Sequence, residues 1–266
     1  MKRLNREVLA RWYKLRVGSL FHRNLLRIEL GAPLISFTFD DFPETALSAG
    51  GEILRSFGVV GTYYVSLGLL NADSPSGLIC SERDVIKAWE EGHEIGSHTF
   101  SHCHSWDTAN DVYESNIKKN SAALQKLVPG AIFKTFSYPI SLPRPALKQI
   151  CRRYFVACRG GGQKVNSGST DLNQLSAYFL EKTRDDFSAI ERIVDENAMK
   201  RGWLIFATHD VSATPSPYGC TPDFFRKAVK YSLNSGARIL PVVEAIATIR
   251  DGGRVAESRR LEAISK

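Results

Sequence analysis

With 266 residues, 43% of them hydrophobic and 24% charged, the chain can bury a large core in one unit, and it shows neither the composition of a disordered segment nor an internal repeat. Its net charge of +7 suggests an acidic partner until the charge is located: residues 1 to 27 carry eight basic side chains against Glu7, and the other 239 residues hold 27 of each sign. Without a basic excess or interleaved aromatic and basic residues, the body of the chain offers no nucleic-acid-binding face.

The basic arm comes first. In "MKRLNREVLARWYKLRVGSLFHRNLLRIEL", Leu4, Val8, Trp12 and Leu15 recur at helical spacing with basic residues between them, the pattern of an amphipathic helix. It has no continuous apolar stretch of the kind a signal peptide or a bilayer span needs. Two placements follow for residues 1–27: packing against the body or a second copy, and contact with an anionic membrane surface. The first is preferred, because most amphipathic helices bury one face. The five cysteines, Cys80, Cys103, Cys151, Cys158 and Cys220, lack metal or redox spacings. With no export signal they are expected to be reduced, in a cytoplasmic protein with peripheral membrane contact as the variant reading.

After the arm, strand and helix patterns alternate. Strand-like runs fall at 33–40, 59–65, 93–97, 132–138, 154–159, 203–208 and 237–242. Helical patterns occupy 44–57, a segment opening at "SERD" (81–84) with a capping signal, 107–127, 185–201 and 222–234. Repeated βα units predict an α/β fold with a parallel sheet, and about seven strands suit a closed or nearly closed barrel. The expected organisation is an arm at 1–30, a barrel at 31–250 and a polar tail at 251–266.

Barrel chemistry sits at the C-terminal ends of strands, and the polar residues gather there. "SFTFDDFPETA" (36–46) ends its strand on Asp40 and Asp41. A cap for the helix that follows would account for one aspartate but not two. In "GHEIGSHTFSHCHSW" (92–106), His98 and His102 stand four apart, so one helical turn would aim both imidazoles the same way. Together with one aspartate they make a three-ligand site with open positions, the pattern of a catalytic metal. His93 reads as a hydrogen-bonded core histidine, His104 as a fallback ligand and Cys103 as packing. "GWLIFATHDV" (202–211) ends an apolar strand on His209, which suits a proton donor or base. Its alternative is a strand end bonded to Asp210.

The motifs "TFDD" (38–41), "HTFSH" (98–102), "SYPIS" (137–141) and "FATHD" (206–210), in that order, resemble those of the polysaccharide deacetylases. The resemblance spans roughly residues 33 to 245. It implies a distorted (β/α) barrel and metal-dependent hydrolysis of an N-acetyl group, a linear amide, on an amino-sugar glycan or oligosaccharide. By position it makes Asp40 the general base and Asp41, His98 and His102 the metal ligands. It also makes the backbone N–H of Ile140 an oxyanion donor and His209 the acid for the leaving amine. The His₂Asp set suits Zn²⁺, with Co²⁺, Ni²⁺ or Mn²⁺ as substitutes.

Three departures stand out. Ser137 replaces the arginine usual in the third motif and Phe42 the glycine of the first, and no fourth motif is recognisable between 159 and 202. Arg159, ending the strand of "ACRGG", is the candidate to orient the base in place of the missing arginine. Two other readings keep the fold: a hydrolase of small cyclic amides, and a carbohydrate-binding pseudoenzyme. Retention of both Asp40 and His209 speaks against the second.

Overall fold

Eight parallel strands make the central sheet of the computed structural model, which describes residues 6–184 and 186–252. They are β1 (Leu34–Phe39), β2 (Thr62–Val65), β3 (Glu94–Ser97), β4 (Thr135–Ser137), β5 (Ala157–Arg159), β6 (Tyr178–Phe179), β7 (Trp203–Thr208) and β8 (Arg238–Ile239). Seven of them follow the order β6-β7-β1-β2-β3-β4-β5 and curl into a half-barrel. The short β8 pairs with the first residues of β1, below the point where β2 joins it.

Side chains alternate across a strand, and here the alternation separates two cores. Phe37, Phe39, Leu204 and Phe206 belong to the larger apolar cluster, where Phe225 of the helix Pro222–Asn234 packs on both Phe37 and Phe39. Leu34, Trp203, Ile205 and Ala207 point the other way, into a smaller cluster plugged by Val242, Ile246 and Ile249 of a helix spanning 242–252. On that inner side the next layer is polar. Trp203 Nε1 donates to Ser36, and the buried Glu94 carboxylate accepts from Thr62, Thr135 and the Val243 amide. Asp40 continues the inward series Leu34, Ser36, Thr38, so the pleat delivers its carboxylate to the mouth of the half-barrel.

The other helices are α1 (Arg6–Leu20), α2 (Glu52–Ser56), α3 (Glu82–Glu90), α4 (Asn110–Leu127), α5 (Pro145–Cys151) and α6 (Phe187–Lys200), with α7 at Pro222–Asn234. Their starts are encoded locally. Ser81 and Asp84 form the expected capping box at α3, and Thr221 caps α7 with Pro222 in its first turn. The strand Tyr178–Phe179, the helix α5 and the helix over 242–252 have no counterpart in the sequence expectations. Between β5 and β6, where the half-barrel is open, the stretch 160–177, which carries the short strand Gly168–Asp171, bonds along β5 through Cys158 N–H to Leu172 O and Leu175 N–H to Cys158 O.

The arm touches the body, though not through the described part of its apolar stripe. Leu4 lies outside the described residues, as does the Leu15 side chain, while Val8 (54%) and Trp12 (63%) face solvent instead of the body. What holds α1 is its C-terminal end. The buried Lys148 ammonium donates to the Gly18 carbonyl, and the following segment Leu25–Ile28 pairs antiparallel with Gly168–Asp171. Tyr13 meets the Trp106 ring edge-on, and Lys14 lies over that ring. Of the expected tail, 253–266 lies outside the described residues. All five cysteines are free thiols. Among the described residues no helix is long and apolar enough to cross a membrane.

Candidate metal centre and catalytic groove

Strand register assembles the site. Phe39 pairs with Thr208 and with Tyr63, and Val65 pairs with Ser97, so the residues just beyond these strand ends, Asp40, Asp41, His98 and His209, emerge at one level. The backbone then turns sharply. Asp41 (φ 60°), Phe42 (φ 54°), Thr99 (φ 62°) and His102 (φ 52°) all take left-handed conformations that non-glycine residues rarely adopt. The turn explains why Asp41 is not a helix cap: the following helix begins beyond Thr45, and its first turn receives no side-chain cap. It also explains the usual glycine at Phe42, whose ring here is buried against Tyr63.

Asp41, His98 and His102 converge. Asp41 Oδ1 lies 3.4 Å from His98 Nε2 and 3.3 Å from His102 Nε2, and the three ligand atoms all fall within 4.8 Å of one another. Those separations are close to the edges of a tetrahedron with arms of about 2.0–2.1 Å, the reach of zinc to nitrogen and carboxylate oxygen. Asp41 Oδ1 is buried with no hydrogen-bond partner. Burial pushes the His98 imidazole down, and burial followed by the neighbouring His98 pushes His102 down to about 4, so both are neutral and able to ligate. The His98 tautomer is set as well: a carbonyl only accepts, so Nδ1–H donates to Ser137 O at 2.7 Å and leaves Nε2 free. The residues present fit a divalent cation.

Asp40 is engaged differently. The Arg159 guanidinium pairs with its carboxylate and donates to Ser137 Oγ at 2.7 Å, all three being buried. Burial alone would raise the Asp40 carboxyl, but Arg159, with His98 and His209 behind it, more than offsets this and holds it well below the usual carboxylate range. Asp40 is therefore an anion at any physiological pH. His209 is part of the same cluster: Nδ1–H donates to Tyr218 O at 3.3 Å, and Nε2 faces Asp41 Oδ2 at 3.9 Å. It is not tied to Asp210, whose carboxylate is taken by the Ser216 amide and hydroxyl. Ile140 (φ 62°) lines the same groove and is half exposed. His93 is a core residue accepting the Gly61 N–H, and His104 borders the groove beside His102 without joining the ligand cluster.

Residues 27–158 match the family model described as polysaccharide deacetylase. The chain belongs to the polysaccharide deacetylase family. Among solved structures, this deacetylase-family chain resembles a peptidoglycan N-acetylglucosamine deacetylase bound to a hydroxamate, at 20% identity and TM-score 0.58 over 82% of this chain and 89% of that one. It also resembles a CE4 family pseudoenzyme from Bacillus anthracis, at 12% identity and TM-score 0.58 over 82% and 66%. Both likenesses are of fold. A gellan lyase from Bacillus sp. is 23% identical over 202 residues, 68% of this chain, which spans only 8% of that protein's length.

The groove of this deacetylase-family chain measures about 870 Å³ and includes two acids that the sequence reading missed, the exposed Asp73 and the more buried Glu181. Glu181 follows the two-residue strand β6, too short to signal itself by alternation, and stands in the region where no fourth motif could be recognised. Burial pushes its carboxyl up to about 7, with the charge of the nearby His209 pulling the other way. Its Oε2 is buried without a hydrogen-bond partner.

Proposed function

We propose that the protein is a metal-dependent hydrolase that removes N-acetyl groups from an amino-sugar glycan or oligosaccharide. The observation that carries this reading is the division of labour between two adjacent carboxylates. Asp41 meets two neutral imidazoles at 3.3 and 3.4 Å, while Asp40 meets a buried guanidinium. One is free to ligate, and the other is held as a bare anion beside the ligand site.

A divalent cation such as Zn²⁺, held by Asp41, His98 and His102, would polarise the amide carbonyl and acidify a water at neutral pH. Asp40 is placed to accept a proton from the attacking water. Its anchored, strongly anionic state makes it a weak base, so its contribution lies in position as much as in proton affinity. Arg159 fixes the carboxylate from behind. His209, with Nδ1 committed to Tyr218 O, presents Nε2 to the groove and can deliver a proton to the departing amine, which leaves badly as an anion. The Ile140 backbone N–H is assigned to the developing oxyanion.

Presence of the whole set, Asp40, Asp41, His98, His102 and His209, supports an active enzyme over a binding-only pseudoenzyme, because binding a glycan needs neither a base nor an acid. The test is acetate release from a panel of N-acetylated oligosaccharides and small cyclic amides, with and without added divalent metals. Acetate from the glycans supports the reading, and ring opening of the cyclic amides alone would replace it.

A further inference from the structure

A second groove, of about 420 Å³, opens beside the catalytic one between the N-terminal helix and the 161–176 stretch. Its lining includes Arg16 and Arg23 from the arm side and Lys164 from the facing loop, with Trp12 at its edge. Among the described residues none of these three cations makes a side-chain hydrogen bond or ion pair. The acid within reach, Asp171, is already satisfied: it pairs with the buried Lys148 ammonium at 2.7 Å and accepts the Asn24 and Asn173 amides. The groove thus gathers three uncompensated positive charges from two walls, an arrangement whose mutual repulsion a bound anion would relieve.

The two grooves share Gly161 and Gly162. Gly162 has φ +153°, and a Cβ there would lie 2.8 Å from Ser176 Oγ, while a Cβ on Gly161 would press on Ser141 and Phe179. The residues common to both grooves therefore carry no side chain, and a ligand reaching from the metal site to the basic groove would cross them.

We infer that the basic groove binds a phosphate carried by the same substrate, so that the preferred substrate is an N-acetylated amino sugar bearing a phosphomonoester or phosphodiester. This rests on the deacetylase reading. Three cations converging on one small groove match the charge of a phosphate, up to −2 near neutral pH, and its several acceptor oxygens; a lone carboxylate would need one arginine. The phosphate has two candidate sources, a soluble sugar phosphate and a lipid-linked sugar presented at a membrane. The second would use the solvent-facing Val8, Leu9, Trp12, Tyr13, Leu20 and Phe21 beside the groove.

The test compares acetate release from an N-acetylhexosamine 1-phosphate, its neutral methyl glycoside, an N-acetylated disaccharide bearing a uronate, and the same sugar phosphate joined to a long alkyl chain in detergent micelles. Pyrophosphate binding to the metal-loaded full chain is measured calorimetrically alongside. The expected result is a KM for the phosphorylated sugar at least about 10-fold below that of the neutral glycoside, with the ratio falling toward one in Arg16→Ala/Arg23→Ala/Lys164→Ala. Lys164→Glu alone, on an exposed loop, repeats the test without touching the helix. A further gain only with the alkyl-linked sugar assigns the phosphate to a membrane lipid, and an equal gain assigns it to a soluble compound. No preference for phosphate, a preference for the uronate, or pyrophosphate binding unchanged in both variants would overturn the inference while leaving deacetylation standing. Pyrophosphate binding lost in both variants, with no acetate from any sugar, would uphold the anion site and sink the deacetylase reading instead.

Discussion

Ser137 and Arg159 are partners across neighbouring parallel strands, and the Arg159 guanidinium donates to the Ser137 hydroxyl at 2.7 Å while it pairs with Asp40. A small residue at 137 leaves room for the arginine of the next strand to lie over the Tyr64 ring and reach the carboxylate. Moving an arginine by one strand at constant register preserves its charge beside Asp40. Arg159→Met should strand a buried carboxylate, lower kcat by about 10²-fold or more and destabilise the fold by about 3 kcal/mol. The exchange Ser137→Arg/Arg159→Ser should recover part of both losses, and an exchange no better than Arg159→Met alone would show that the location of the guanidinium, and not its charge, matters.

The ligand set predicts a metal titration. Asp41→Asn and His102→Ala should each lower zinc content, measured by mass spectrometry after dialysis, by at least about 10-fold. Asp40→Asn should keep its metal. Equal metal loss in all three would mean that the two carboxylates do not divide their duties.

Acid and base roles separate in kinetics. Asp40→Asn and His209→Ala should each depress turnover by at least about 10²-fold with metal content little changed. A wild-type rate in either variant removes that residue from the mechanism.

The fold was legible where apolar runs were long. β1 and β7, each fully buried over six residues, and the capped helices α3 and α7 announce themselves in the sequence. β6 does not, since two residues cannot show a period, and Glu181 at its end went unseen with it. The cluster of Asp41, His98 and His102 was legible because metal-binding chemistry restricts candidates to a few residue types, and these stand at strand ends. Arg159 could be nominated as the partner of Asp40 from its strand end, but with 119 positions between them only the strand register shows how the two meet. In the arm the apolar spacing reveals the helix but not its anchor, a backbone carbonyl, Gly18 O, taken by a lysine 130 positions away.

Glu181 supplies a pH signature in metal-free protein. Its carboxyl titrates near 7 when folded against 4.5 as the ordinary value, so the folded state holds the proton more tightly. The stability associated with that proton is complete below about pH 4.5 and is lost as pH rises through 7. His93, which burial pushes down to about 4, and His102, lowered by burial and by His98, act oppositely, losing stability as pH falls from 6.5 toward 4. The difference between wild type and Glu181→Gln isolates the glutamate. In urea unfolding with chelator present, the variant should gain about 2 kcal/mol relative to wild type between pH 5 and pH 8. A pH-independent difference would place Glu181 in solvent.

The anchoring of the arm is tested through Lys148, fully buried with its ammonium on Gly18 O and Asp171 Oδ2. Lys148→Met leaves the Asp171 carboxylate without its cation and should cost about 3 kcal/mol. Asp171→Asn in the same background should return part of that loss. An unchanged melting temperature in Lys148→Met would show that the arm is held by other contacts.

Metal-dependent deacetylation can be read from acetate release from N-acetylated oligosaccharides, using protein stripped of metal and reloaded stepwise with Zn²⁺. Activity should rise in proportion to bound zinc up to one equivalent per chain in wild type and stay at background in Asp41→Asn. Acetate release that is independent of metal, or none from any glycan once the site is filled, would contradict this reading.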